Sequence, residues 1–193
     1  MRPFTLLVIS LLLTASLAAA DLRGFLVTKD NYQLTGYFNL LEYSPTGNQI
    51  IFTNDFGDVY SIRPQLVKGF GFNRDGETVR FVSRFHEGQW FFLREEVTGR
   101  SLSLFRLPDG SESWVDDSML RLFATPPPTY YLLYGSKQRI LPVPRAGFKR
   151  TLREFFVERS PELSARIGKR GYRYKDLAKI VGEFNARRGR RRL

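Results

Sequence analysis

The chain has 193 residues, no cysteine, a single histidine and a formal net charge of +11, so it can build neither a disulfide framework nor a zinc site based on Cys or on paired His. With Met1 to Ala20 set aside, the remainder is long enough for one domain rather than two, and 17 Phe and 9 Tyr across the chain supply much of its core. The charge is uneven: Arg145 to Leu193 holds 16 Lys and Arg against 5 Asp and Glu, net +11, whereas Asp21 to Pro144 holds 13 against 14, net −1, and Arg2 adds the last +1.

Met1 to Ala20 carries one positive residue, Arg2, then an apolar run from Thr5 to Leu13, and ends in Ala18-Ala19-Ala20 before Asp21. That is the pattern of a secretory signal peptide with an A-x-A cleavage site. An uncleaved anchor helix is the alternative, but the strongly apolar part is shorter than the ~20 residues a bilayer requires. Export to a periplasm, an outer-membrane periphery or the extracellular space is therefore expected, with no membrane-spanning segment after cleavage.

From Leu22 the chain reads as short strands separated by turn chemistry. Gly24 to Thr28 and Tyr32 to Leu41 make a hairpin around Lys29-Asp30-Asn31. A loop at Ser44 to Asn48 leads into Gln49 to Thr53, the cluster Asn54 to Asp58 into Val59 to Ile62, and Pro64 breaks that strand. Leu66 to Phe72 contains Gly69-Phe70-Gly71-Phe72, which lacks the third glycine and the following helix of a dinucleotide loop and reads instead as a strand needing close packing or a bulge. Asn73 to Gly76 turns the chain into Glu77 to Phe85. The stretch Trp90 to Leu107 is the expected centre of the sheet, a hairpin turning at Thr98-Gly99. Its first arm is apolar on both faces; its second sets Leu102 and Leu104 on one face against Ser101, Ser103, Phe105 and Leu107 on the other. Trp114 to Phe123 fits a strand or a short helix, Thr125 to Pro128 an extended spacer, and Thr129 to Tyr134 pairs with Arg139 to Val143.

Beyond Arg145 the period changes from two to 3.6. Phe148, Leu152, Phe155 and Phe156 form one helical stripe, and Leu177, Ile180, Val181 and Phe184 another. Between them Ser160 and Pro161 look like an N-cap and first-turn proline opening a helix that buries Leu163 and Ile167. Arg187 to Arg192 have no apolar face and read as a frayed tail. The whole predicts an α+β fold: an antiparallel β-sandwich or partly rolled barrel over 21–144, a helical cap of three short helices over 145–186, and a basic disordered tail over 187–193.

Few residues suggest catalysis. His86 is alone, no G-x-S-x-G elbow is present, and its F-H-E-G-Q setting suits a structural His at a strand end. Asp55 with Asp58, and Asp116 with Asp117, could offer oxygen ligands to Ca²⁺, but neither fits an EF-hand and both suit ordinary turns. Glu95 and Glu96 are adjacent on a strand and point to opposite faces, unlike a glycosidase pair held across a cleft. Neither a metal nor a cofactor is expected. The basic C-terminal segment is the strongest candidate: Arg187, Arg188, Arg190, Arg191 and Arg192 could together contribute about 5 kcal/mol of attraction to an anionic membrane, before ordering costs. Nucleic acid would feel the same charges, but export and the lack of an exposed stacking surface argue against it.

Phe92-Leu93 with Val97, Gly99, Ser103 and Leu104, then Tyr130-Tyr131-Leu132, Ser160 to Leu163, and Ile180-Val181 with Phe184-Asn185 form a pattern that resembles a broad group of exported proteins of Gram-negative Bacteroidota. The resemblance covers most of the chain after the signal peptide. It implies export and this architecture, carries no known activity, and transfers no catalytic residue. The expectation is a non-catalytic envelope or secreted protein that binds an anionic surface, lipid or lipopolysaccharide, or another envelope protein. The competing expectation is a hydrolase acting on envelope polymers.

Overall fold

The structure, a computed structural model, describes residues 22–44, 47–74, 76–107, 129–135 and 137–190, with side chains described outside 39–48 and 188–190. The expected signal peptide, Trp114 to Phe123, Asp116, Asp117, Arg191 and Arg192 lie outside those residues. The strands are β1 (Leu22–Thr28), β2 (Gln33–Ser44), β3 (Gly47–Asn54), β4 (Val59–Ile62), β5 (Val67–Arg74), β6 (Glu77–His86), β7 (Gln89–Val97), β8 (Leu102–Leu107), β9 (Thr129–Tyr134) and β10 (Arg139–Val143). The helices are α1 (Phe148–Val157), α2 (Pro161–Arg166) and α3 (Leu177–Arg190). The fold is α+β, as the change of period at Arg145 implies. None of the described helices is long and apolar enough to cross a membrane.

All strand pairs are antiparallel, in one open sheet of order β10-β9-β8-β7-β6-β5-β1-β2-β3-β4. One connection breaks the meander. After β4 the chain passes through a 3₁₀ turn at Pro64–Leu66 and returns to pair β5 with β1 rather than with β4. That turn is tied to the sheet by Ser83, whose buried hydroxyl donates to the Pro64 carbonyl.

Between sandwich and rolled barrel, the curl decides for a sheet rolled but not closed: β3 lies against β7, with four strands between them in sheet order. The inside of the roll holds Leu26, Phe38, Ile50, Phe52, Val67, Phe70, Phe72, Phe81 and Phe92. Phe70 stacks on Phe81 at 4.5 Å and meets Phe92 edge-on at 4.9 Å, the offset and perpendicular arrangements that ring quadrupoles favour.

Two kinds of glycine make the curl feasible. Gly24 and Gly36 are cross-strand partners on the inner face, where the Phe38 and Phe52 rings and the Phe72 Cβ occupy the space of the missing side chains. Gly69 and Gly71 lie on the outer face of β5, beside a register shift at Val27 and Thr28. The close packing and bulge expected of Gly69 to Phe72 are thus present.

The helices lie over the continuation of the inner face. Leu102, Leu104, Leu132 and Val143 from the sheet form one cluster with Phe148, Leu152, Phe155, Phe156, Leu163, Ile167, Leu177, Ile180, Val181 and Phe184. Each predicted helical stripe is buried. Helices this short are weak alone, so burial against the sheet is what holds them.

Four local expectations are corrected. β3 starts at Gly47, inside the predicted loop, because residues 47 to 50 pair with Leu41 to Ser44 and lengthen the β2–β3 hairpin. The central hairpin turns over Thr98 to Ser101, not Thr98-Gly99 alone, and the register shifts between Glu95 and Val97. Ser160 precedes α2 but its hydroxyl caps nothing; its carbonyl instead accepts from the Ser164 N–H at 3.0 Å. Finally, α3 does not fray at Ala186 but runs through Arg190, with Arg187 held by Glu162 of α2.

Candidate anion-binding cleft

Where the helical cap meets the sheet, a cleft of about 350 Å³ opens between the β7–β8 link, the β9–β10 turn, α1 and α3. Its apolar wall is Tyr134, Phe155 and Phe184, and Ser101 contributes a hydroxyl. Among the described residues that line it, the charged ones are Lys137, Arg139 and Arg159. This is a concave, partly apolar site with a few convergent polar groups, the general form of a small-ligand site.

Local structure sets each cation. The β9–β10 turn is built on left-handed backbone at Gly135 (φ 73°) and Gln138 (φ 46°), closed by the Gln138 N–H donating to the Gly135 carbonyl at 3.1 Å. A side-chain-bearing residue pays for positive φ, and Gln138 is latched there by Arg84, whose Nη2 donates to Gln138 Oε1 at 3.1 Å. Arg84 is itself largely buried on β6; burial lowers its pKa, while Glu95 opposes that shift. The latch places Lys137 and Arg139 on either side of a fixed point.

Arg159 follows the end of α1. Its guanidinium lies 4.5 Å from the Phe155 ring centre and 5.3 Å from that of Tyr134, and Nη1 donates to the Phe155 carbonyl at 2.8 Å. Cation–π contact with two rings and a bond to a helix C-terminal carbonyl fix the group before any ligand arrives.

The fourth wall is α3, docked by an uncommon contact. Asn185 accepts from the Leu102 N–H at 3.1 Å and donates to the Leu102 carbonyl at 2.7 Å, so one side chain satisfies both backbone groups of a buried strand residue. This close approach needs Gly99: a Cβ there would stand 2.0 Å from Asn185 Nδ2. Asn185→Ala should therefore cost about 2 kcal/mol, by leaving two partly buried backbone groups unpaired. Gly99→Ala should cost a similar amount, and less in the Asn185→Ala background, because part of the clash disappears with the amide. Urea melts of the two single mutants and the double mutant measure that coupling.

The residues singled out in the sequence distribute as follows. Arg187 is paired with Glu162 and is no free arm; Arg188 and Arg190 continue α3 beyond Phe184, the residue that lines the cleft. His86 stacks edge-on against Tyr131 at 5.5 Å, with Glu87 3.5 Å from its Nε2, away from the cleft. Asp58 accepts from Asn54 within their turn, whereas Asp55 accepts from Thr35 of β2 and lies 3.8 Å from Arg23 of β1; among the described residues no group of three or more acidic or His side chains could hold a metal ion. Glu96 takes Arg106 at 2.8 Å and Arg94 at 3.6 Å, while Glu95 faces Arg84, so the two carboxylates serve different arginines. A second, more apolar groove at the β4 edge is lined by Leu26, Leu34, Phe52, Phe56, Tyr60 and Ile62 among others.

Lys137, Arg139 and Arg159 were not singled out in the sequence. Arg159 carried a trace of signal, lying in the basic C-terminal quarter beside an apolar stripe. The chain matches no family model, no curated protein and no solved structure, so the function of the cleft rests on its own chemistry.

Proposed function

We propose that this chain is a non-catalytic exported protein that binds an anionic envelope surface or partner through its basic C-terminal quarter. The observation that carries the reading is the cleft, whose three charged lining groups are all cations, beside a helix that leads directly into the arginine-rich end. In this reading Arg188, Arg190, Arg191 and Arg192 supply a long-range attraction and the cleft a short-range contact. The competing hydrolase reading draws no support from the cleft, since among the described lining residues there is neither an imidazole nor a carboxyl group.

Co-sedimentation with phosphatidylglycerol vesicles tests the proposal, using the chain from Asp21. Binding should fall as salt rises, because exposed charges are screened over about 8 Å at physiological ionic strength. Truncation after Arg187 keeps the pair with Glu162 and removes four arginines, and should weaken binding by tenfold or more at low salt, given roughly 1 kcal/mol per arginine. Stability should barely change. Equal binding by both forms, or binding indifferent to salt, would remove the arginine-rich end from the mechanism.

A further inference from the structure

We propose that the cleft is a receptor for the phosphate group of a phosphate ester, with Arg159 as a fixed fork and Lys137 and Arg139 as flanking cations. This rests on the anionic-partner reading and narrows it from a surface to a chemical group at a defined place.

Three observations lead there. The first is charge. Three cations line the cavity, and among the described residues none of the three has an ion-pair partner. A carboxylate would offset one of these charges, whereas a phosphate monoester carries about −1.5 to −2 near neutral pH and offsets most of them.

The second is geometry. Arg159 spends Nη1 on the Phe155 carbonyl and sits within cation–π distance of two rings. Its Nε and Nη2 have no partner among the described residues, and together they form the edge of a guanidinium that meets two oxygens of one oxyanion. The ordering entropy of this long side chain is already spent, which favours the bound state. Lys137 and Arg139 are set by the strained, latched Gln138 turn, and Ser101 lines the same cleft.

The third is size. About 350 Å³ falls at the lower end of small-molecule sites, about 300–1,000 Å³, and one wall is aromatic. The phosphate therefore arrives attached to an organic group. A soluble sugar phosphate and a lipid whose headgroup is itself a monoester, as in phosphatidic acid, share this chemistry.

The probes are glucose 6-phosphate, glucose, inorganic phosphate and vesicles containing phosphatidic acid, each with the chain from Asp21. By calorimetry glucose 6-phosphate should bind, inorganic phosphate should bind more weakly and glucose should not. Arg159→Lys keeps the charge but loses the fork, and should weaken the ester roughly tenfold. The double variant Lys137→Gln, Arg139→Gln should weaken it at least as much, with its melting midpoint unchanged or higher because two like charges leave an empty site. A lipid source is indicated if vesicles bind more tightly than the sugar phosphate and the cleft variants reduce that binding even in the chain truncated after Arg187. Equal binding of glucose and glucose 6-phosphate, or an ester affinity indifferent to all three cleft substitutions, overturns the assignment. Vesicle binding kept by the cleft variants but lost on truncation, together with an ester affinity the cleft variants do not change, overturns the cleft while leaving the broader anionic reading standing. Absence of both glucose 6-phosphate binding and salt-sensitive vesicle binding overturns both.

Discussion

Ile180→Asp should lower stability by about 4 kcal/mol or more, enough to unfold a domain of ordinary stability at moderate temperature. Ile180 is fully buried in the cluster joining α3 to β8, and Leu102, Leu104 and Phe156 share that cluster. A carboxylate there has no cation within the cluster to pair with. By contrast, Ile180→Val removes one methylene from the same place and should cost about 1 kcal/mol. Urea and thermal melts of both variants check the pair of values. An unchanged midpoint for the aspartate variant would mean that α3 is not docked in solution, and the cleft, which needs Phe184 as a wall, would go with it.

Gly24→Val should be of similar severity through the opposite mechanism, overfilling rather than an unpaired charge. A Cβ at this position would stand 2.1 Å from the Gly71 carbonyl oxygen, 2.8 Å from Phe72 Cβ and 2.9 Å from the Phe38 ring. The first two neighbours cannot swing aside like the end of a long chain, so β1 and β5 must separate where they pair. We expect a loss of about 3 kcal/mol or more. Gly57→Ala is the control: its φ of +91° strains any side chain but nothing lies within 4 Å, so it should cost only about 1 kcal/mol. Near-equal melting midpoints for Gly24→Val and Gly57→Ala would show that the interior of the roll yields more readily than its close contacts imply.

The helical cap was legible in the sequence because a single face of an α-helix recurs within a few residues. Phe148, Leu152, Phe155 and Phe156 could be named as buried without knowing what covers them. Strand existence was legible for a similar reason. Strand order was not: nothing local to β4 says that the next strand returns to β1, since that choice is made by Phe-on-Phe packing across the roll and by glycines 24 and 36. The cleft was less visible still. Lys137 and Arg139 come from a turn, Arg159 from a helix end and Phe184 from a later helix, and no spacing rule links them. The arginine-rich end was misjudged at its start, because solvation alone suggested fraying, whereas Glu162 on a neighbouring helix gives Arg187 a partner and α3 a further turn.

The Asn185 clamp on Leu102 also bears on the order in which the chain can fold. The two residues are 83 positions apart, so the N–H and C=O of Leu102 cannot find this partner until nearly the whole chain has emerged from the ribosome. Contacts that far apart carry a large loop-closure cost and form late. The rolled half, β1 to β7, can gather its phenylalanines without any help from the C-terminus, while the β8 end of the central hairpin waits for α3. Refolding should accordingly show the Phe-rich roll protected from hydrogen exchange before the Leu102 amide, and a nascent chain stopped anywhere before Asn185 would hold its sheet half-finished at that edge of the helical cap.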